Sequence, residues 1–342
     1  MLQNYPKVPP KLPGVKHTRT ANSSSLGADS LDKLLDDGIP FPSIVAVDER
    51  KSRQYSRTLT RLFIAEGYKT GQKVVIVSPR VGEADKYVDA VPIEMAGGGG
   101  VKAGVAGTSS EELKIAWRFQ SAPKIDSSIG GSKAAKFDLA KSLSREEVEG
   151  SGLVATHHVR TYAGLWTLLE AVLTSREADI HSPDTKHPVR IVLNEIGSPL
   201  FADSDGFVPF LVKLRAFLLQ STAVIMLTYD GAQLSPSDLN TIQTLSDSIL
   251  VFHPLADANK SVEPPTNANL AGRLEVLKQP RLYGNSLSRP EACDYSYKES
   301  RHTIEIRKLH LDPEGEGFDT SSVAPLLPEM QQLGVLADDL ED

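Results

Sequence analysis

Residues 43–67 read SIVAVDERKSRQYSRTLTRLFIAEG. A short β-branched run (Ile44, Val45, Val47) leads through polar residues into an amphipathic helix, which is the strand, loop and helix setting of a phosphate-binding loop. Such a loop works because glycines bring backbone N–H groups close to phosphate oxygens, a lysine reaches the outer phosphates and a Ser or Thr hydroxyl holds magnesium. If Val47 ends the strand, the two glycine positions fall on Glu49 and Gln54, the lysine on Tyr55 and the hydroxyl on Ser56. Only Ser56 matches, and no glycine occurs between Ser43 and Glu66. The phosphate loop is therefore degenerate: Glu49 puts a carboxylate where an anion belongs, and side chains fill the cradle. The plainer reading is that this helix only packs on a sheet and never faced a ligand.

Outward from this unit, strands and helices alternate. Expected strands are Ser43 to Val47, Lys73 to Val77, Arg190 to Leu193, Ala223 to Thr228 and Ser248 to Phe252. Expected helices are Ser30 to Leu35, Tyr55 to Glu66, Thr161 to Thr174, Phe207 to Leu219 and one opened by Ser235-Pro236. The strands are short continuous apolar runs, as a parallel sheet covered by helices on both faces requires. Gly272 to Lys278 and Thr303 to Leu311 alternate instead, which predicts antiparallel strands added at one sheet edge. The fold class is α/β, a mostly parallel sheet flanked by helices with antiparallel edge strands at the C-terminal end.

The expected organisation is a loose arm over 1–25, a single domain over 26–312 and an acidic tail over 313–342. Long loops are expected near 95–110, 121–152 and 256–271, with a short helix at 111–119. The second nucleotide element would be an apolar strand ending in an acid. Ile191-Val192-Leu193 is such a strand, with Asn194 at the aspartate place and Glu195 after it. One acid remains for a metal, but an Asn-Glu pair there is more often a turn or cap than a metal site when no phosphate loop accompanies it.

What the loop does carry is positive charge. Arg50, Lys51, Arg53, Arg57 and Arg61 follow one another without an acid between them, and Arg53, Arg57 and Arg61 share one helix face. Such a stripe suits nucleic-acid phosphates, a subunit contact or a solvated face. The whole chain carries 37 − 44 = −7 charges, so its average surface does not advertise nucleic-acid binding. One cysteine, Cys293, excludes an internal disulfide and a thiolate zinc cluster. No apolar run reaches the roughly 18 residues a membrane span needs, and the first residues are polar and proline-rich, which predicts a chain kept in cytosol or nucleus. His157 and His158 are adjacent and point apart, so no shared metal is expected. Trp117-Arg118-Phe119 could stack a base but reads more simply as core, and no G-x-S-x-G supports a hydrolase.

The segments ADSLDKLLDDGIPFPSIVAVDE, LKIAWRF, KFDLAKSL, RIVLNEIGSPLF and TIEIRKLHLDPEG resemble, in this order, segments of the Elongator complex protein 4 family. The resemblance runs from about Ser24 to Gly315. Pro42 stands where the family usually has glycine, and Gly97 to Gly100 looks peculiar to this chain. The resemblance implies a RecA-like fold without a working phosphate loop, and a non-catalytic subunit. It further implies a heterohexameric ring with the fifth and sixth Elongator subunits, contact with the core Elongator subunits, and tRNA held by the assembled ring during wobble-uridine modification. No cofactor and no metal are implied. Arg50, Lys51, Arg53 and Arg57 would then face either tRNA or a neighbouring subunit. The alternative is a RecA-like ATPase acting on its own through an atypical phosphate loop.

Overall fold

The computed structural model describes residues 12–17, 22–35, 37–50, 53–95, 136–176, 178–179, 188–254, 272–280 and 295–308. All of them belong to one unit, Met1–Leu309; the other unit, His310–Asp342, lies outside the described residues, as does the expected acidic tail.

The elements in chain order are β1 (Val15–His17), β2 (Asn22–Ser24), α1 (Asp29–Leu34), β3 (Ile39–Pro40), β4 (Ser43–Asp48), α2 (Arg53–Lys69), β5 (Lys73–Ser78), α3 (Glu83–Val88), β6 (Pro92–Glu94), β7 (Phe137–Ser142), α4 (Arg145–Gly150), β8 (Val154–His158), α5 (Tyr162–Leu173), β9 (Val189–Leu193), α6 (Phe207–Leu218), β10 (Ala223–Tyr229), α7 (Pro236–Leu245), β11 (Ser248–Pro254), β12 (Gly272–Lys278), β13 (Tyr295–Glu299) and β14 (Ile304–Lys308). Nine strands form one sheet in the order β14-β13-β12-β11-β4-β10-β9-β5-β8. The six strands from β11 to β8 are parallel, and β12, β13 and β14 are antiparallel. This is the arrangement expected, a mostly parallel sheet with antiparallel strands at its C-terminal edge.

The pleat explains why the parallel strands read as continuous apolar runs. In β4, Val45 and Val47 join the core under α2, while Ile44 and Ala46 join the core under α5 and α6. Side chains in their sequence fix the helix starts: Thr161 Oγ1 accepts from Gly164 N–H at 3.1 Å to open α5, and Ser235 Oγ accepts from Asp238 N–H at 3.1 Å with Pro236 in the first turn of α7.

Two expectations need correction. The arm of residues 1–25 contains β1 and β2, which pair with β3 in a small antiparallel sheet. Its order comes from inside the domain, because fully buried Arg190 on β9 donates to Ser24 Oγ at 2.8 Å and to the Ser25 carbonyl at 2.9 Å. The loop expected over 121–152 contains β7 and α4; β7 pairs with β6, and its Phe137 is buried. The expected helix at 111–119, the loop at 256–271, the glycine run at 97–100 and Cys293 lie outside the described residues.

Candidate functional site

The C-terminal ends of β4, β5, β9 and β10 converge on the N-terminus of α2, the place where open α/β sheets form ligand crevices. A cleft of about 600 Å³ opens there, lined among others by Glu49, Arg53, Gln54, Arg80, Glu195 and Asp230.

Each degenerate position now has a definite role. Glu49 is buried, and its carboxylate accepts from Ser56 Oγ at 2.7 Å. Burial pushes the Glu49 carboxyl above its ordinary value, opposed by the Ser56 hydroxyl and by the charge of Arg53. Tyr55, at the lysine position, turns toward the core: its ring meets Tyr297 edge-on at 4.5 Å and stacks on Phe252 at 6.3 Å. Gln54 is exposed on the cleft wall. The residue type at the first glycine position thus supplies a fixed carboxylate, and the hydroxyl that would hold magnesium bonds to it.

Asp48 ends β4 fully buried and ties the loop down. It accepts from the backbone N–H of Arg50 at 3.0 Å and of Gly231 at 3.1 Å, and pairs with the Arg50 guanidinium. A side chain at Gly231 would sit 2.5 Å from the Asp48 carboxylate, so this approach needs glycine.

On the β9 side, Asn194 and Glu195 both stand at the strand end. Asn194 is 3% exposed, and neither of its side-chain polar atoms has a partner among the described residues. Glu195 takes a left-handed backbone conformation (φ 54°), costly for a residue with a side chain. Its backbone N–H is fixed by Thr228 Oγ1 at 3.0 Å, and its buried carboxylate receives Arg80 Nε at 2.7 and 2.8 Å together with Arg53. A second buried acid, Glu83, receives Arg57, Lys86 at 3.1 Å and Arg53 at 3.8 Å. Burial opposes ionisation of Glu83, yet Lys86 and Arg57 outweigh it and hold its carboxyl below the ordinary value.

The run of cations seen in the sequence is therefore cross-linked to acids from other elements. Arg50, Arg53, Arg57, Arg80 and Lys86 stand against Asp48, Glu49, Glu83 and Glu195, five cations against four acids. Arg50, Arg53 and Arg57 keep 43, 38 and 42% of their side-chain surface exposed, so each presents part of a guanidinium to solvent while paired. Arg61 is spent on the fold, donating to the Ala90 carbonyl at 2.7 Å and the Leu139 carbonyl at 3.2 Å. Lys51 and the Trp117-Arg118-Phe119 stretch lie outside the described residues. Sequence reasoning missed Arg80 and Glu83. Their one signal was position, directly after the second strand of a parallel sheet.

His157 and His158 lie on β8 and alternate faces, His158 Nε2 lying 3.1 Å from the Pro79 carbonyl oxygen. Among the described residues no group of three or more His, Cys, Asp or Glu side chains is placed to hold a metal, and no helix is long and apolar enough to cross a membrane.

The family described as PAXNEB protein matches residues 8–328. Curated relatives include "Elongator complex protein 4" of Mus musculus, 25% identical and covering 91% of this chain and 82% of its own length. The protein of the same name from Schizosaccharomyces pombe is 25% identical and covers 90% of both chains, and that from Danio rerio is 23% identical, covering 90% of this chain and 85% of its own. Among solved structures, a KaiC-like protein of Pyrococcus horikoshii aligns with a TM-score of 0.48 at 14% identity, covering 84% of this chain and 99% of its own.

Proposed function

The chain belongs to the PAXNEB protein family, and from that premise we propose that it is a non-catalytic subunit of the Elongator complex. In this reading it joins the fifth and sixth subunits in a ring of RecA-like domains, attaches with them to the core subunits, and supports tRNA binding during wobble-uridine modification in the cytoplasm and nucleus. Support comes from the name its relatives share across some nine-tenths of the chain. The observation that carries the non-catalytic part is the Glu49–Ser56 hydrogen bond at the degenerate phosphate loop. A phosphate-binding loop places N–H dipoles and a lysine there; this chain places a carboxylate and ion pairs, and its residue at the lysine position turns into the core.

The test is co-purification of the tagged chain with the fifth and sixth subunits, followed by ATP hydrolysis and tRNA binding on the products. Equal recovery of the three proteins, with no hydrolysis by this chain alone, is the expected result. Hydrolysis by the isolated monomer would sink the non-catalytic reading. If Arg50 and Arg53 contact tRNA, Arg50→Ala with Arg53→Ala lowers the slope of log affinity against log salt by about one unit per lost contact. An unchanged slope on an intact ring takes RNA off this surface, and loss of the ring makes it a subunit contact.

A further inference from the structure

The nine-stranded sheet has two edges, and the structure treats them differently. At β14, α1 packs against the outer strand, and the outward N–H of Ile306 reaches Ser30 Oγ at 3.3 Å. Charged Glu305 and Arg307 also stand on that strand. At the other end β8 pairs, among the described residues, with β5 alone, in regular register from Val154 to His158. The bonds from Val74 N–H to the Leu153 carbonyl and from Val159 N–H to the Ser78 carbonyl fix its phase. In a parallel pair, alternate residues spend both backbone groups on the neighbour. Ala155 and His157 therefore face β5, while Val154, Thr156 and His158 turn their N–H and C=O groups outward, with no other strand beside them among the described residues.

An open edge is a template for another chain, and proteins blunt it with lysine, proline, bulges or a covering element. The β8 sequence VATHH has none of the first three, and although α3 and α4 pack against the strand, among the described residues no backbone bond joins Val154, Thr156 or His158 to either helix. The two flanks differ in chemistry. Trp166 of α5 meets Phe217 of α6 at 4.8 Å, which places Leu168 and Val172 on the opposite flank of α5, toward β8, where both are partly exposed. Ala155 is exposed on the same face. The other flank is acidic: Asp85 and Asp89 next to Glu146, Glu147 and Glu149, five acids against Lys86 and Arg145. Thr156 Oγ1, which donates to Asp85 at 3.1 Å, shows that this flank borders β8.

We propose that the open edge of β8 is an interaction surface that takes an extended segment of a partner protein as a tenth strand, with apolar side chains toward α5 and basic ones toward α3 and α4. Backbone hydrogen bonds to Val154, Thr156 and His158 supply the attachment, and the alternation of apolar and basic residues supplies the selectivity.

The experiment titrates a blocked heptapeptide, Val-Lys-Val-Lys-Val-Lys-Val, onto the full-length chain and reads amide hydrogen exchange residue by residue. The Thr156 and His158 amides are expected to slow about tenfold or more, while those of Ala155 and His157, already bonded to β5, hold their protection. A peptide N-methylated at alternate residues is expected not to bind. Thr156→Pro removes an outward donor that β5 does not use, so it is expected to abolish binding with the melting temperature nearly kept. Glu146→Lys with Glu149→Lys is expected to weaken the lysine peptide about tenfold and admit its glutamate counterpart. Unchanged exchange at Thr156 and His158 in millimolar peptide would overturn the proposal, and so would equal binding of the N-methylated peptide. Protection of the same amides by concentration-dependent self-association would replace the partner with a second copy and overturn it likewise.

Discussion

Ser56 Oγ donates to the Glu49 carboxylate at 2.7 Å across the loop that joins β4 to α2. Both groups are buried, so the bond contributes mainly by giving an ionised carboxyl a hydrogen bond inside the core, beside the one from Thr228. Ser56→Ala is expected to destabilise the chain by about 1–3 kcal/mol at neutral pH. Because the hydroxyl favours the charged form of Glu49, the loss should shrink as the solution is acidified and Glu49 takes up a proton. Urea unfolding of both proteins at several pH values measures this, and a loss that grows toward acid would refute it.

Glu195 holds Arg80 and Arg53 from a strained backbone position. The arginines are partly exposed, so each pair is worth only about 1 kcal/mol, whereas the strain costs a comparable amount. Glu195→Gly removes both terms and is expected to change stability by less than about 1 kcal/mol while releasing Arg80, and Arg53 except for its 3.8 Å pairing with Glu83. The freed arginines should increase anion binding in the cleft, measured as slower chloride-competed exchange of a phosphate probe. A drop in stability of several kcal/mol would mean that the ion pairs act as buried ones.

The legible part of the fold was the part buried on both faces. The strands β4, β5, β9, β10 and β11 have continuous apolar runs because helices cover both sides. The edge strand β8 has Ala155 exposed and Val154 half-buried, and α4 buries Val148 alone, so neither has a hydrophobic signature. β1 and β2 escaped notice because what β2 buries is Ser23 and Ser24, polar groups, and the partner of Ser24 is the distant Arg190. At the site, the lost glycines and lysine were plain in the local sequence. The charge balance was not: Arg80 and Glu195 are 115 residues apart, and a run of arginines counted along the chain cannot see the acids that the sheet brings to it.

Asp32 offers a pH test. Its carboxylate accepts from Ser25 Oγ and from the Leu26 N–H at 2.7 Å, yet burial pushes its pKa up to about 6. A carboxyl whose folded pKa lies above its unfolded value binds more protons in the native state, so its contribution is fully present below pH about 3.8 and is lost as pH rises through about 6. The shift of 6 − 3.8 corresponds to at most about 3 kcal/mol. Asp32→Asn removes the titration, so its stability relative to the parent is expected to improve steadily from pH 4 to pH 7. A difference independent of pH would show that Asp32 titrates alike in both states.

Arg190 is fully buried, lies 4.5 Å from the Phe63 ring centre and donates to Gln72 Oε1 at 2.5 Å as well as to Ser24 and Ser25. Desolvation lowers its pKa to about 10, countered by Glu66 and Asp32, and it stays charged at neutral pH. Arg190→Met leaves those neutral acceptors unpaired inside the protein and is expected to cost about 1–3 kcal/mol for each group left unsatisfied. The loss should be felt first at β2, which the guanidinium holds. Limited proteolysis is expected to cut near Ser24 in the variant well before it cuts the sheet; simultaneous loss of both would show one cooperative unit without a separable β2.

Gly67 tests the same packing from the opposite side. It lies within α2, where alanine is intrinsically favoured by about 1 kcal/mol. Here a β-carbon would stand 2.7 Å from Arg190 Cδ and 2.8 Å from Val74 Cγ2. Neither neighbour has room to withdraw, since both are fully buried. Overpacking costs about 1–3 kcal/mol, so the clash is expected to outweigh the propensity and leave Gly67→Ala destabilised. The two substitutions share a contact and should not add: in the Arg190→Met background, whose unbranched side chain is shorter and more adaptable, Gly67→Ala should cost less than in the parent. Equal costs in both backgrounds would place the clash on Val74 alone.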